Sequence, residues 1–134
     1  MQQKKIGILV VAYNAESTLR SVLHRIPAPI WQKIEEVFVF DDSSQDRTTE
    51  VGRAMEDQEP FAGKLKVFKN PVNLMYGGNQ RKGYKYAMER GLDIVVLLHG
   101  DGQYAPEVMQ RLLTPLEEGR ADMVMGSRMM NVVP

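Results

Sequence analysis

The sequence predicts an α/β fold in which helices flank a mostly parallel sheet. Apolar runs of strand length alternate along the chain with segments whose apolar residues recur at helical spacing. The runs at 6–13, 37–40 and 93–98 are almost continuously apolar, as in strands covered on both faces. A polar cluster follows each run, and ligands bind beyond the carboxyl ends of parallel strands. These clusters are therefore predicted to share one edge of the sheet.

The first half of the chain holds two of these strands. "IGILVVAY" (6–13) is rich in branched residues, which favours a strand. Apolar residues then recur at helical spacing over 19–26, and Pro27 ends that helix. "VFVF" (37–40) is the second strand. Asp46 follows it at a place where its carboxylate can cap the next helix.

The second half continues the alternation. Its elements are predicted as a more exposed strand at 64–70, a helix at 77–91, a strand at 93–98, a helix from Pro106 to about Gly119 and a fifth strand at 121–127. Gly91 ends the first of these helices, and Pro115 is expected to kink the second.

Composition indicates one folded domain over residues 1–134. Hydrophobic residues make up 43% of the chain, and 17 basic side chains balance 17 acidic ones. This overall balance indicates neither the basic footprint of a nucleic-acid-binding protein nor a polybasic membrane patch. The absence of cysteine excludes disulfides and is compatible with a reducing compartment, so we expect a cytoplasmic protein. The longest apolar runs are about six residues, far short of the roughly 20 that span a bilayer, and "MQQKK" is not a signal peptide.

The cluster after the first strand, "VAYNAES", does not belong to a dinucleotide-binding fold. Such folds place G-x-G-x-x-G there, and this chain has no glycine between Gly7 and Gly52. An aromatic and an amide at a strand end can stack on and bond to a base. The simpler interpretation, which these residues alone favour, is that Asn14 caps a helix and Tyr13 packs.

The cluster after the second strand, "FDDSSQDRT", puts two carboxylates side by side. Adjacent carboxylates are costly unless something pairs with them, and a nucleobase N–H, a ribose or a cation would do so. A turn in which Asp46 caps the helix and one aspartate bonds loop amides explains the same residues equally well.

The segment "NPVNLMYGGNQRKG" places glycines, an amide and two cations at a predicted helix start. A phosphate can bind there, with Arg81 or Lys82 adding charge. Glycine-rich helix entries are common, so a simple turn is the favoured interpretation of this segment alone.

The cluster after the strand at 93–98 is "LLHGDGQYAPE". Asp101 and Gln103 offer oxygen, the ligand that Mg²⁺ and Mn²⁺ prefer, and such an ion can bridge to a diphosphate. Gly100 and Gly102 allow close backbone approach. His99 is less suited to Mg²⁺, although imidazole can bind Mn²⁺ or donate to a sugar hydroxyl. The alternative is a turn in which Asp101 bonds loop amides.

Five segments, taken in order, resemble the motifs of one family. "VVAYNAESTL" resembles a strand ending in P-x-Y-N-E, and "VFDDSSQDRT" resembles V-D-D-G-S-x-D-x-T. "NLMYGGNQRKGYKYA" resembles N-x-G-x-G-x-A-x-N-x-G, "LLHGDGQYAPE" resembles a D-x-D segment, and "DMVMGSR" resembles the G-S-R strand that follows it. From Lys5 to Arg128 the chain thus resembles the nucleotide-binding half of a family 2 glycosyltransferase with the Rossmann-like GT-A fold. It is most similar to the polyprenyl-phosphate sugar synthases.

The resemblance implies a role for each matching position. The implied nucleotide-sugar-binding residues are Ala12, Tyr13, Asn14, Glu16, Asp41, Asp42, Gly78, Lys82 and His99. Tyr13 and Asp42 would contact the base, and Asp41 would bond the ribose or brace the loop. Lys82 would lie near the nucleotide. Ala12 stands where the family has proline, which is a mild change.

The implied catalytic and metal positions are fewer. Asp101 matches the second aspartate of D-x-D, which holds the metal on the diphosphate, and Gln103 matches a further position of the metal shell. Arg128 matches an arginine near the acceptor or the leaving diphosphate. His99 stands where the family has its first aspartate, and we interpret it as a tolerated replacement.

The implied activity is inverting transfer of a hexose from a UDP- or GDP-linked donor, with Mg²⁺ or Mn²⁺, in the synthesis of cell-envelope polysaccharide or glycolipid. "DGQYAPE" points to a polyprenyl phosphate acceptor and so to the inner face of the membrane for the full-length protein. The family's domain continues beyond G-S-R, so we expect a partial catalytic domain, and no residue is named as general base. The oligomeric state is not predicted.

Two other functions share some of these sequence features. A non-catalytic nucleotide-binding relative is consistent with His99. A phosphoacceptor receiver domain needs an acid pair after the first strand, whereas here Asp41 and Asp42 follow the second, so that pattern fails.

Overall fold

The computed structural model describes residues 3–103 and 105–124, and within them four parallel strands form one sheet in the order β3-β2-β1-β4. The strands are β1 (Ile6–Ala12), β2 (Glu36–Asp41), β3 (Leu65–Lys69) and β4 (Ile94–His99). The helices are α1 (Leu19–His24), α2 (Ala28–Lys33), α3 (Thr48–Met55), α4 (Met75–Glu89) and α5 (Met109–Glu117), with a 3₁₀ turn at Pro106–Val108 before α5. The predicted α/β fold with a parallel sheet is confirmed.

The sheet separates two apolar clusters. Ile8 and Val10 of β1 point into the larger one, which α1, α2, α3 and α5 cover. Leu9 and Val11 point into the smaller one, which contains Ala87 of α4. Because both faces of β1 and β2 are covered, every residue of those two strands is buried, as their continuous apolar sequences predict.

Strand β4 differs from this prediction. Its residues alternate between buried and half-buried, with Val95 and Leu97 on the half-buried side. The reason is its place in the sheet. Helix α4 packs on β1 and β2, and β4 is the outer strand among the described residues. The apolar run alone could not show which strand lies at the edge.

Two further elements also differ. Pro27 and Pro29 do more than end the helix at 19–26, since they begin a second one: Pro27 is the N-cap of α2 and Pro29 lies in its first turn, where proline is tolerated. The fifth strand predicted at 121–127 is not found over residues 121–124, and the rest of it lies outside the described residues. Pro115 lies inside α5.

No helix within the described ranges is both long enough and apolar enough to cross a bilayer.

Asp46 ties the start of α3 to the loop after β1. Its Oδ1 accepts a hydrogen bond from Thr48 N at 3.0 Å, and its Oδ2 accepts one from Glu16 N at 3.2 Å. Partial burial alone would raise the pKa of Asp46, but the hydrogen bonds from Thr48 and Glu16 favour the charged form and lower the pKa below its usual value. The predicted cap is therefore present, one residue before the assigned N-cap.

Asp46→Ala is expected to lower the free energy of unfolding by about 1 kcal/mol at pH 7, the usual cost of losing a helix cap. A carboxylate with a lowered folded-state pKa stabilises above its unfolded pKa of about 4, and that contribution disappears as the pH falls through the folded-state value. Urea unfolding at pH 7 and at pH 2 measures both effects. The exposed Asp57, just after α3, provides the control Asp57→Ala. A pH-independent difference at Asp46 would contradict the cap.

Candidate functional site

A cavity of about 370 Å³ opens at the carboxyl edge of the sheet, between the ends of β1 and β4. The chain turns from β1 toward β2 and β3 on one side and reaches β4 on the other, so the loops after β1 and β4 diverge there. This is the topological switch point at which open α/β sheets bind ligands. The lining residues are Val11, Ala12, Tyr13, Asp42, Asn73, Met75, Tyr76, Asn79, His99, Gly100 and Asp101.

Five of the binding, catalytic and metal positions that the resemblance implies line this cavity. They are Ala12, Tyr13, Asp42, His99 and Asp101. Six others do not line it, namely Asn14, Glu16, Asp41, Gly78, Lys82 and Gln103. Arg128 lies outside the described residues. The clusters after β1, β2 and β4 thus meet at one edge, as parallel strands require.

The two adjacent aspartates occupy different environments. Asp41 is fully buried, and its carboxylate accepts hydrogen bonds from Ser44 N at 3.1 Å and from the hydroxyls of Ser44 and Thr49. It therefore braces the loop after β2. Asp42, one residue later, lines the cavity, which Asp41 does not. Of the two roles considered for Asp41, the geometry favours the brace.

A network of amide side chains holds Asp42 in place. Its Oδ1 accepts hydrogen bonds from Leu74 N at 2.7 Å and from Asn70 Nδ2 at 3.0 Å. Asn70 also donates to Asn79 Oδ1 at 2.8 Å, and Asn79 Nδ2 donates to the Phe40 carbonyl at 2.9 Å. Asn70 and Asn79 are buried, so the network is shielded from water. It fixes the Asp42 carboxylate relative to β2 and α4.

Lys82 belongs to this network as well. Its Nζ donates to Asn70 Oδ1 at 2.9 Å. The ammonium group therefore sits behind Asp42 rather than along the cavity wall. Gly78 lies in the first turns of α4, where a Cβ would lie 3.0 Å from the Leu74 Cβ. Glycine at this position therefore avoids a close contact at the start of the helix. The phosphate cradle considered for this segment is not apparent in these contacts.

Asn70, Asn73, Asn79 and Tyr76 are site residues that the sequence motifs do not indicate individually. Asn70, Asn73 and Asn79 all fall in or beside "NPVNLMYGGNQRKG", so the amide-rich composition of that segment was the available signal. Asn70 and Asn73 contact Asp42 across 28 and 31 positions of sequence, a separation that no periodicity encodes.

His99 pairs with Tyr76. The two rings stack with centroids 5.3 Å apart and planes 7° from parallel, and the Tyr76 hydroxyl lies 3.0 Å from His99 Nε2. Burial lowers the pKa of His99 below its usual value, and the Asp101 carboxylate partly opposes this. Burial therefore favours the uncharged imidazole. Together the rings form an aromatic wall of the cavity.

The loop carrying Asp101 is held tightly against β1. Gly100 N donates to the Val11 carbonyl at 2.9 Å, and the Thr18 hydroxyl donates to the Gly100 carbonyl at 2.6 Å. A Cβ at Gly100 would lie 3.0 Å from the Ala12 Cβ, so the close approach requires glycine. Asp101 is exposed beyond this contact, at the mouth of the cavity.

Asp101 takes part in a turn and still faces the cavity. Its Oδ1 accepts a hydrogen bond from Gln103 N at 3.0 Å, as the turn interpretation predicts. Within residues 3–103 and 105–124 no three His, Asp or Glu side chains gather into a metal-binding group. Mg²⁺ and Mn²⁺ sites often use one or two carboxylates, with substrate phosphates and water completing the shell. A single carboxylate at the cavity mouth fits an ion that is shared with a diphosphate.

Strained backbone is concentrated at this edge. Among the described non-glycine residues, Asn14, Ser43 and Met75 have positive φ values of 49°, 62° and 65°. All three lie just beyond a strand or at the start of α4. Asn14 does not cap α1, because its side chain instead accepts a hydrogen bond from Gln45 N at 3.0 Å. Strain of this kind is typical of functional sites.

The amino-acid sequence of this chain is similar to those of known glycosyltransferases. The family model described as Glycosyl transferase family 2 matches residues 7–133. A UDP-N-acetylglucosamine–dolichyl-phosphate N-acetylglucosaminyltransferase of Methanococcus voltae is 27% identical over 98% of this chain and 55% of its own length. An undecaprenyl-phosphate mannosyltransferase of Micrococcus luteus is 29% identical over 92% of this chain and 48% of its own. The chain thus spans about half the length of these relatives.

Solved structures share the fold. Glucosyl-3-phosphoglycerate synthase of Mycobacterium tuberculosis superposes with a TM-score of 0.64 at 24% identity, covering 85% of this chain and 41% of that one. A mannosyltransferase of Pyrobaculum calidifontis, solved with GDP-Man and Mn²⁺, superposes with a TM-score of 0.63 at 18% identity, covering 82% and 31%. The GT-A-type α/β fold that the sequence predicts is confirmed.

Proposed function

This chain belongs to glycosyl transferase family 2, and from that premise we propose that it forms the donor-binding part of an enzyme that transfers a hexose with inversion from a UDP- or GDP-linked donor. The observation that carries the proposal is the cavity at the switch point. Asp42 lines it from the end of β2, Asp101 from the end of β4 and Tyr13 from the end of β1. A nucleoside diphosphate presents matching groups, a base with ring N–H donors at one end and a charged diphosphate at the other.

The base would lie on the Asp42 side. Tyr13 is 49% exposed at the cavity and offers a ring face for stacking. The Asp42 carboxylate, held by Asn70 and the Leu74 amide, can accept a hydrogen bond from a base N–H without reorganising. An acceptor fixed in advance in this way favours a base that presents a donor to it.

The diphosphate would lie on the Asp101 side. Asp101 and Gln103 are the side chains that would hold Mg²⁺ or Mn²⁺, and the charge that such an ion supplies stabilises a departing diphosphate. The ring wall formed by Tyr76 and His99 lines the same cavity and would contact the ribose or sugar. His99 can donate or accept one hydrogen bond there.

For the acceptor we propose a polyprenyl phosphate. The support is that the names of the relatives pair a sugar transferase with dolichyl or undecaprenyl phosphate. A phosphate is already an anionic nucleophile, so such an acceptor needs no strong general base. We accordingly propose that the full-length protein works at the cytoplasmic face of a membrane. Arg128, proposed near the acceptor or the leaving group, would contribute charge.

Calorimetric titration with UDP and GDP, each with and without Mn²⁺, tests the function. Binding of one nucleotide that strengthens with Mn²⁺ is the expected result. Mn²⁺ alone is expected to bind weakly, because Asp101 is the one carboxylate proposed for it. If the full-length protein binds neither nucleotide, the proposal fails.

A second candidate function is nucleotide binding without transfer, which His99 favours because a carboxylate is missing at that wall. Transfer of radiolabelled hexose to a polyprenyl phosphate by the full-length protein separates the two. Tight nucleotide binding with no transfer, and transfer restored by His99→Asp, would support the second candidate.

Asn79→Ala is expected to weaken nucleotide binding about tenfold, which corresponds to 1.4 kcal/mol. The change removes the hydrogen bonds to the Phe40 carbonyl and to Asn70, so the side chain that orients Asp42 loses its own support. The unsatisfied buried groups should also lower the free energy of unfolding by about 1–3 kcal/mol. Titration of the folded variant is the measurement, and Gln80→Ala on the same helix is the control. Unchanged affinity would show that the network does not position Asp42.

A further inference from the structure

Helix α4 exposes apolar side chains on the face that points away from the sheet. Its inner face is formed by Asn79, Gly83 and Ala87, which are buried. On the outer face Tyr84 is 39% exposed and Met88, four residues later, is 72% exposed. A surface helix normally carries polar residues there.

The same outer face is basic. Arg81 and Lys85 lie beside Tyr84 and Met88, and with Gly77 and Gln80 these residues line a shallow groove of about 580 Å³. Both cations are exposed, and within the described ranges neither forms an ion pair with a carboxylate. The cations on the inner side are engaged, since Lys82 bonds Asn70 and Arg90 bonds Glu36.

The charge on α4 contrasts with that of the whole chain. Residues 75–90 contain four cations and one anion, whereas the whole chain has zero net charge. The cations are Arg81, Lys82, Lys85 and Arg90, and the anion is Glu89. The excess is therefore local to one helix. Exposed cations interleaved with a tyrosine and a methionine are typical of a surface that meets a lipid–water interface.

We propose that the outer face of α4, defined by Gly77, Arg81, Tyr84, Lys85 and Met88, docks on an anionic membrane surface. Arg81 and Lys85 contact lipid phosphates, and Tyr84 and Met88 enter the headgroup region. Charge complementarity selects this occupant, because an anionic surface pairs with two cations that lack a carboxylate partner. The inference goes beyond the proposed donor site, and its test needs no nucleotide.

The position of α4 gives the docking a consequence for the cavity. The helix begins at Met75, and Met75 and Tyr76 line the cavity that the donor is proposed to occupy. Docking through the outer face therefore brings one wall of that cavity near the membrane surface, where a lipid-linked phosphate is found.

Vesicle co-sedimentation of the purified protein, without nucleotide, tests the proposal. The probes are vesicles of phosphatidylcholine alone and vesicles with about one third phosphatidylglycerol. We expect binding to the anionic vesicles, loss of that binding at 1 M salt, where screening is nearly complete, and little binding to the neutral ones. Each cation near an anionic surface raises affinity roughly fivefold, so Arg81→Gln with Lys85→Gln should weaken binding roughly 25-fold.

Two further variants make the result specific. Arg47→Gln with Arg53→Gln removes the same charge from exposed positions around α3 and should change the affinity less than threefold, within the screening expected of distant surface charges. Met88→Ser should weaken binding without shifting the melting temperature, because Met88 is exposed. Equal losses in the two double variants, or no vesicle binding at all, would overturn the proposal. The proposal would also be overturned if the protein bound no vesicles but self-associated, and if Met88→Ser abolished that self-association. The outer face of α4 would then be an interface with a second copy of the chain.

Discussion

Asp101→Ala is expected to abolish the Mn²⁺ dependence of nucleotide binding. Of the two carboxylates that line the cavity, Asp101 is exposed at its mouth, where a diphosphate would lie, whereas Asp42 is buried and held by Asn70 and Leu74. Loss of a residue that only supports a metal ligand costs 10–100-fold in metal affinity, so loss of the ligand itself should cost roughly 100-fold or more. Affinity measured without metal should change little.

The stability of this variant separates a binding effect from a folding effect. Asp101 is exposed, and its carboxylate accepts a hydrogen bond from Gln103 N in its own turn. Its replacement should therefore change the free energy of unfolding by less than about 1 kcal/mol. Titrations of wild type, Asp101→Ala and the distant control Asp57→Ala, each with UDP and GDP and with Mn²⁺ varied, provide the measurement. A variant that keeps the full Mn²⁺ effect would remove Asp101 from the metal site.

The strands and the location of the site could be predicted because both depend on local sequence. A strand covered on both faces is apolar at every position, so β1 and β2 could be found from their composition. Parallel strands have their carboxyl ends at the same edge of the sheet, so the residues that directly follow β1, β2 and β4 lie close together there. That rule predicts that the clusters containing Tyr13, Asp42 and Asp101 share one edge, whereas the roles of these three residues were implied by the family resemblance.

The contacts that tune the site depend on which residues meet in three dimensions, and these could not be predicted. Asn70 and Asn79 brace Asp42 from segments 28 and 37 positions away in sequence, and Tyr76 meets His99 across 23. Burial of β4 on one face depends on strand order, which the apolar run does not contain. Helix α2 could not be predicted from Pro27 and Pro29, because a proline is compatible both with the end of one helix and with the first turn of the next.

Helix α4 links the fold to the site, and Gly83 sets how closely it can approach. The helix packs on β1 at the point where Gly83 meets Leu9, and a Cβ at Gly83 would come within 2.5 Å of both methyl carbons of that leucine. Leu9 is fully buried, so it has little room to move. Asn79 lies one turn before Gly83 on α4, so a displaced helix would also displace the brace of Asp42.

Gly83→Val is accordingly expected to be the most destabilising of these substitutions, by about 3 kcal/mol or more, because overpacking a filled core costs about 1–3 kcal/mol and valine adds further bulk. Gly83→Ala should cost about 1–2 kcal/mol, the clash exceeding the roughly 1 kcal/mol that alanine gains in helix propensity. Gly77→Ala is the matched control. It lies on the same helix, a Cβ there meets nothing within 4 Å, and it should stabilise by up to about 1 kcal/mol.

A double-mutant cycle identifies the cause of the Gly83 effect. If the contact with Leu9 is responsible, Gly83→Ala should cost less, or even stabilise, in a Leu9→Ala background, where the side chain it meets has been shortened. Urea unfolding of the four proteins measures the coupling, and titration of the folded Gly83→Ala variant shows whether nucleotide affinity falls with it. Stabilisation by Gly83→Ala equal to that of Gly77→Ala would mean that α4 does not pack on β1 as closely as the structure shows. If the Gly83→Ala variant, in which Asn79 is unchanged, binds nucleotide more weakly, then the distance of α4 from the sheet controls the position of Asp42.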